Sequence, residues 1–150
     1  MGNAHYGRLL LMAILSFASM YGFMYAMVNT PANVIPNLNQ LYMAGLMTMP
    51  MIVIELLVMG AMYPDKKRNA VIVAVSLVAL AVFWMFIRQQ TAISDKQFLK
   101  SMIPHHAGAI LMCEQAPLQD PGIKDLCRTI ISSQQAEIRD MKARLQALER

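Results

Sequence analysis

The chain has 150 residues, of which 57% are hydrophobic and 15% charged, with a net charge of +4 and a mean hydropathy of +0.42. It is too apolar for an ordinary soluble domain. Two cysteines are too few for a disulfide scaffold, no glycine-rich phosphate loop is present, and the basic residues form no stripe interleaved with aromatics, so a nucleic-acid partner is not expected.

Three long apolar runs, residues 9–28, 41–63 and 70–87, each approach the roughly 20 residues that a helical membrane span requires. Breaks rich in Pro and Asn separate the first two, and Pro64-Asp65-Lys66-Lys67-Arg68-Asn69 reads as a second short loop. The spacing predicts a membrane domain over residues 1–90 and a soluble segment over 91–150. Arg8 and the Lys66-Lys67-Arg68 cluster fall on one side of a three-span topology and the uncharged loop from Thr30 to Gln40 on the other. The excess of cytoplasmic Lys and Arg in membrane proteins then places the soluble segment outside a bacterial-type inner membrane, in the periplasm or beyond. Arg88, Lys96 and Lys100 lie on the proposed outer side and oppose this orientation. Reading the first run as a cleaved secretory signal leaves two spans and the same location for the tail.

Methionine is abundant, at 15 residues. The second span places Met43, Met47, Met51, Glu55 and Met59 four apart. Steps of four drift by about 40° each on a straight helix, so they form neighbouring pairs along a winding stripe. Apolar packing explains such methionines without a ligand role. Glu55 differs, because an ionisable group in a span is costly and faces a bundle interior or water. Met43, Met47, Met51 and Glu55 are therefore candidates for a membrane metal path, with a neutral carboxyl bonded to a neighbouring helix as the structural alternative for Glu55.

In the soluble segment, Ser94-Asp95-Lys96-Gln97 has the form of a capping box and predicts a helix start. Phe98, Met102, His105, Ala109, Met112 and Ala116 then mark one helical face. Pro104 predicts a kink or restart within this run. Asp120-Pro121-Gly122 ends the turn and opens a second helix, whose stripe is Cys127, Ile131, Gln134, Ile138, Met141, Leu145 and Leu148. A lone hairpin buries two such stripes poorly, so pairing of two copies into a four-helix bundle is expected, which makes the fold all-α and the protein a homodimer.

Met102, His105, His106, Met112 and Cys113 fall within twelve residues, with Cys127, Gln134, Glu137 and Met141 on the next helix. Thioether, thiolate and imidazole donors suit a soft ion, with Cu(I) foremost and Cu(II) or Zn(II) open to a histidine-rich site. The two cysteines lie at similar distances from the turn and admit three readings: a disulfide, thiolate ligands, or packing.

Met102-Ile103-Pro104-His105-His106, then Ala109 and Met112, then Gln134 with Glu137-Ile138 and Met141, resembles the signature of the domain-of-unknown-function 305 (DUF305) family. The resemblance covers residues 94–148 or so. It implies a ferritin-like fold akin to periplasmic copper-binding proteins. It further implies Met102, His105, His106, Met112 and Met141 as copper ligands, with Gln134 and Glu137 as partners that orient an imidazole. Cys113 and Cys127 lie outside that pattern. A single hairpin, where many relatives carry two, agrees with a dimer.

The function expected from the sequence is copper homeostasis or tolerance: a membrane-anchored protein that captures Cu(I) and buffers it or passes it to a copper-receiving protein. No catalysis is expected. A di-iron enzyme of the ferritin type would need Glu-x-x-His motifs, and no Glu here has a His three residues on. Two alternatives are a transporter working through the membrane methionines and Glu55, and a metal-free dimerisation module.

Overall fold

The computed structural model describes residues 2–150, and every regular element among them is helical. Five α-helices follow one another: α1 (Gly2–Phe23), α2 (Leu38–Val58), α3 (Lys66–Gln89), α4 (Asp95–Gln115) and α5 (Pro121–Leu148), with short 3-10 turns at Met24–Met27, Pro31–Asn33 and Gly60–Met62. Three stretches, Ala4–Met27, Leu38–Val58 and Lys66–Gln89, are long and apolar enough to cross a membrane. The chain divides into two compact units.

One unit comprises α1, α2 and α3. Much of its apolar surface is uncovered, with Leu10, Leu57, Val75 and Val78 all more than half exposed, as expected where lipid supplies the solvent. At one end Tyr6, Leu9, Leu56 and Tyr63 form a buried cluster. Elsewhere Gly45 of α2 lies so close to the Phe83 ring of α3 that an added Cβ would come within 2.5 Å of it, a contact that only a small residue permits. The helices begin and end differently from the sequence reading. Asp65 accepts a hydrogen bond from the Arg68 amide and caps α3, so Lys66, Lys67 and Arg68 form its first turn and not a loop. The second span stops at Val58, short of residue 63, where a 3-10 turn takes over.

The other unit comprises residues 24–38 together with the segment from Ala92 onward. Helices α4 and α5 form an antiparallel hairpin whose core is Leu99, Ile103, Ala107, Ile110, Ile138, Met141 and Leu145. Asp120 caps α5 through the Ile123 amide and Pro121 occupies its first turn, as the sequence predicts. The capping box at Ser94 does not form. Ser94 makes no side-chain cap, and the Gln97 amide oxygen instead accepts from the Leu38 backbone N–H. Pro104 neither breaks nor restarts α4, which runs on through it. Pro104 is buried beside Ile103 and Ala107, and this packing outweighs the one backbone hydrogen bond that a proline removes.

Residues 24–38 cover part of the hairpin. Val28 and Ile35 pack on its core, Lys142 Nζ donates to the Ala32 carbonyl, and Ser101 Oγ donates to Asn37 Oδ1. The Met27 carbonyl would lie 3.5 Å from a Cβ at Gly108, an ordinary contact. Helix α4 therefore presents one face to α5 through Leu99, Ile103 and Ile110 and another to this segment. The face read from the sequence as the packed one is a third. Phe98, His105, Met112 and Ala116 on it are exposed, and Met102 and Ala109 are half-buried.

Candidate metal centre

His106 is the one histidine of the pair that turns inward. Adjacent residues on a helix point about 100° apart, so a His-His dipeptide cannot direct both rings into one interface: His106 is 8% exposed, while His105 lies outside, its ring centroid 5.9 Å from that of His106. Two contacts fix the His106 ring. Nδ1 lies 2.9 Å from the Met102 carbonyl oxygen, and Nε2 lies 2.7 Å from Glu137 Oε2. A carbonyl oxygen only accepts, so Nδ1 donates to it; an ionised carboxylate also only accepts, so the Glu137 contact holds a proton between Nε2 and Oε2, which leaves when Nε2 takes an ion. Nε2 is the nitrogen left for another partner. The carboxylate that holds it is attached to a side chain 56% exposed, free to withdraw without leaving a buried charge.

Around this ring the hairpin leaves a groove of about 460 Å³ lined by Phe98, Met102, His106, Glu137, Asp140 and Met141. Met102 comes from the turn of α4 before His106, and Met141 from the turn of α5 after Glu137, so two thioethers, one imidazole and two carboxylates share one opening. Gln134, three residues before Glu137, has its amide oxygen buried with no hydrogen-bond partner in the structure. A buried acceptor left unpaired is costly and leaves one unused oxygen at this level of the hairpin. The donor set of thioethers beside an imidazole fits a soft ion such as Cu(I). Among the described residues no three His, Cys, Asp or Glu side chains are grouped so as to hold a metal ion.

Several residues of the expected set lie elsewhere. Met112 is 53% exposed, on the same outer face of α4 as His105, because seven residues are almost two whole turns. Cys113 and Cys127 are joined in a disulfide with Cα atoms 5.2 Å apart. Their sulfurs therefore bond to each other and offer no thiolate, which removes both from the ligand candidates. Glu137 and the Met102 carbonyl each hold one nitrogen of the His106 ring.

Met43 and Met47 are exposed on α2, and Met51 is half-buried. Glu55 accepts a hydrogen bond of 3.3 Å from the Tyr63 hydroxyl. Burial first, and then the neighbouring Glu55 carboxylate, push the Tyr63 phenol above its ordinary value. Tyr63 belongs to a polar knot that sequence reading missed. Its ring packs against Tyr6 at 5.4 Å, the Tyr6 hydroxyl donates to Asn69 Oδ1 at 2.7 Å, and Asn69 Nδ2 donates to the Tyr63 carbonyl. Tyrosines at both ends of apolar runs were the available signal.

Residues 86–145 match the family described as Domain of unknown function (DUF305). An uncharacterized protein of Acanthamoeba polyphaga mimivirus is 36% identical over 138 residues, spanning 90% of this chain and 89% of that protein. No solved structure matches the chain.

Proposed function

The chain belongs to one family with the mimiviral protein and carries a DUF305 domain over residues 86–145, and from that premise we propose that it is a membrane-anchored copper-binding protein. It captures Cu(I) in the hairpin groove and either buffers it or gives it up to a copper-receiving protein. His106 Nε2, Met102 and Met141 are the ligands, with Glu137 as the group that closes over the empty imidazole and withdraws when the ion enters. The observation that carries this reading is the His106 ring: one nitrogen committed to a backbone carbonyl, the other to a displaceable carboxylate, in a groove shared with two thioethers. Copper is cargo here, bound and released without a catalytic step.

The hairpin acts outside a bacterial-type inner membrane, in the periplasm or at the cell exterior. Two features support that side. The Lys66, Lys67 and Arg68 cluster sits at the start of α3, the end expected in the cytoplasm, and the Cys113–Cys127 disulfide belongs in an oxidising compartment. Glu55 already has Tyr63 as a partner, so this reading does not depend on a path through the membrane methionines.

The test is competition of the full chain, in detergent micelles, against a chromogenic Cu(I) chelator with ascorbate as reductant. The wild-type protein withdraws Cu(I) from the chelator, and His106→Ala weakens binding by more than the roughly 10–100-fold that loss of an outer partner costs a metal site. Wild-type protein that fails to compete, or a His106→Ala variant that binds equally well, would falsify the proposal.

A further inference from the structure

The outer face of α4 repeats with steps of four and three: Phe98, Met102, His105, Ala109, Met112 and Ala116. This is the a/d spacing of a coiled-coil seam, on which Phe98, His105, Met112 and Ala116 are exposed, Ala109 is half-buried and Met102 packs in part against the hairpin core. No position on it is charged. The flanking α4 positions, Leu99, His106 and Cys113 on one side and Ser101, Gly108 and Gln115 on the other, carry no Lys, Arg, Asp or Glu either.

The sizes along the seam specify its occupant. In an antiparallel pair, a positions of one helix layer against d positions of the other. With a second copy of α4 this sets Phe98 against the partner's Ala116, His105 against the partner's Ala109, and Met102 against the partner's Met112. Every bulky ring meets an alanine and every thioether meets a thioether. A parallel pair would instead stack Phe on Phe, His on His and Ala on Ala, alternating crowded and empty layers. The seam is self-complementary only in the antiparallel register.

That register carries Met112 to the copper groove, which its own hairpin does not. Met102 lines the groove beside His106, and the antiparallel partner's Met112 packs on Met102. Resting on the copper reading above, we infer that each site is shared between two copies: His106, Met102 and Met141 from one chain and a thioether from the partner's Met112. The seam is about 28 Å long and one helix wide. It buries roughly 600 Å² over both copies, below the ~1,000 Å² of a lasting interface. Burial alone therefore leaves the copies in exchange, and the ion that bridges them closes the pair. Capture and pairing are one event.

Two volume-conserving variants, Met102→Leu and Met112→Leu, test this in the full chain in detergent, read by chelator competition and by the Cu(I)-dependent dimer fraction in native mass spectrometry. Each variant alone is expected to weaken Cu(I) binding at least tenfold and to remain largely monomeric. An equimolar mixture is expected to regain tight binding at one site per mixed dimer, because the Met112→Leu chain keeps Met102 and receives Met112 from the other chain. A mixture as weak as its components would overturn the sharing. So would a Met112→Leu protein that binds like wild type while His106→Ala does not, although that outcome leaves the copper reading standing. Wild-type protein that binds no Cu(I) overturns both.

Discussion

A histidine pair and a tyrosine show how much a single residue's position owes to its surroundings. Met102, His106 and Met141 were legible as candidates from their types and spacing. Which ring of His105-His106 turns inward was not, because that depends on the angle at which α4 meets α5 and not on any local pattern. Tyr63 was missed although its place at the end of an apolar run was a signal, because its partners are Glu55, eight residues away, and Tyr6 and Asn69 on other helices. Its phenol titrates above the ordinary 10.0, so the folded state holds that proton more tightly than the unfolded chain. The corresponding stability is present below pH 10 and is lost as the pH rises from there through the folded value. Glu55→Gln removes the second cause of the shift, and the Tyr63 titration is expected to move back toward its ordinary value. Phenolate absorbance, taken as a difference against Tyr63→Phe, checks this, and an unmoved titration would mean that burial alone sets it. Tyr63→Phe itself is expected to cost about 1 kcal/mol, the net worth of one hydrogen bond.

At the level of elements, the starts of α4 and α5 were legible at Ser94 and Asp120-Pro121, whereas Asp65, which caps α3, was read as part of a loop with the Lys66-Lys67-Arg68 run behind it. Ser94 marked where α4 begins, but the reciprocal bonds of a capping box do not form there. Gln97 had a better partner in the Leu38 amide, far away in sequence, than in its own helix terminus. The run of α4 across Pro104 was likewise decided by burial that no local rule reports. The hairpin these helices form is closed at its turn by the disulfide, 14 residues apart in sequence. A loop of that length stabilises by about 3 kcal/mol through the unfolded chain. Cys113→Ser with Cys127→Ser is expected to lower the stability of the hairpin by that amount, measured by denaturant unfolding followed by helical circular dichroism, while Cu(I) affinity holds within a few-fold because the sulfurs are not ligands. A large loss of affinity in a still-folded variant would return the cysteines to the metal site.

For the molecule as a whole, the all-helical class and the three membrane-length helices followed from apolar run lengths, since a bilayer's thickness leaves few other solutions. The role of residues 24–38 did not, because a loop of Pro and Asn carries no periodicity that announces a surface to cover. Those residues cap the hairpin core through Val28 and Ile35, and Lys142 ties them down at Ala32. The hairpin thus buries another face of α4, together with Ile138, Met141 and Leu145 of α5, within its own chain, and leaves the α4 stripe read from the sequence, Phe98 to Ala116, for pairing. The orientation can be checked with a membrane-impermeant thiol reagent on intact cells. Gln119→Cys in the exposed turn is expected to label from outside, and Lys66→Cys only after permeabilisation; the reverse pattern would turn the protein over.

The disulfide has one more consequence. A copy inserted upside down would hold Cys113 and Cys127 in a reducing compartment, where the bond does not persist, and its hairpin would lack the covalent staple. Proteolysis of transiently opened states tracks their population, so a deficit of about 3 kcal/mol exposes the inverted copy more than a hundredfold more often. In the topology proposed above, the staple would thus favour the copies whose hairpin lies on the oxidising side.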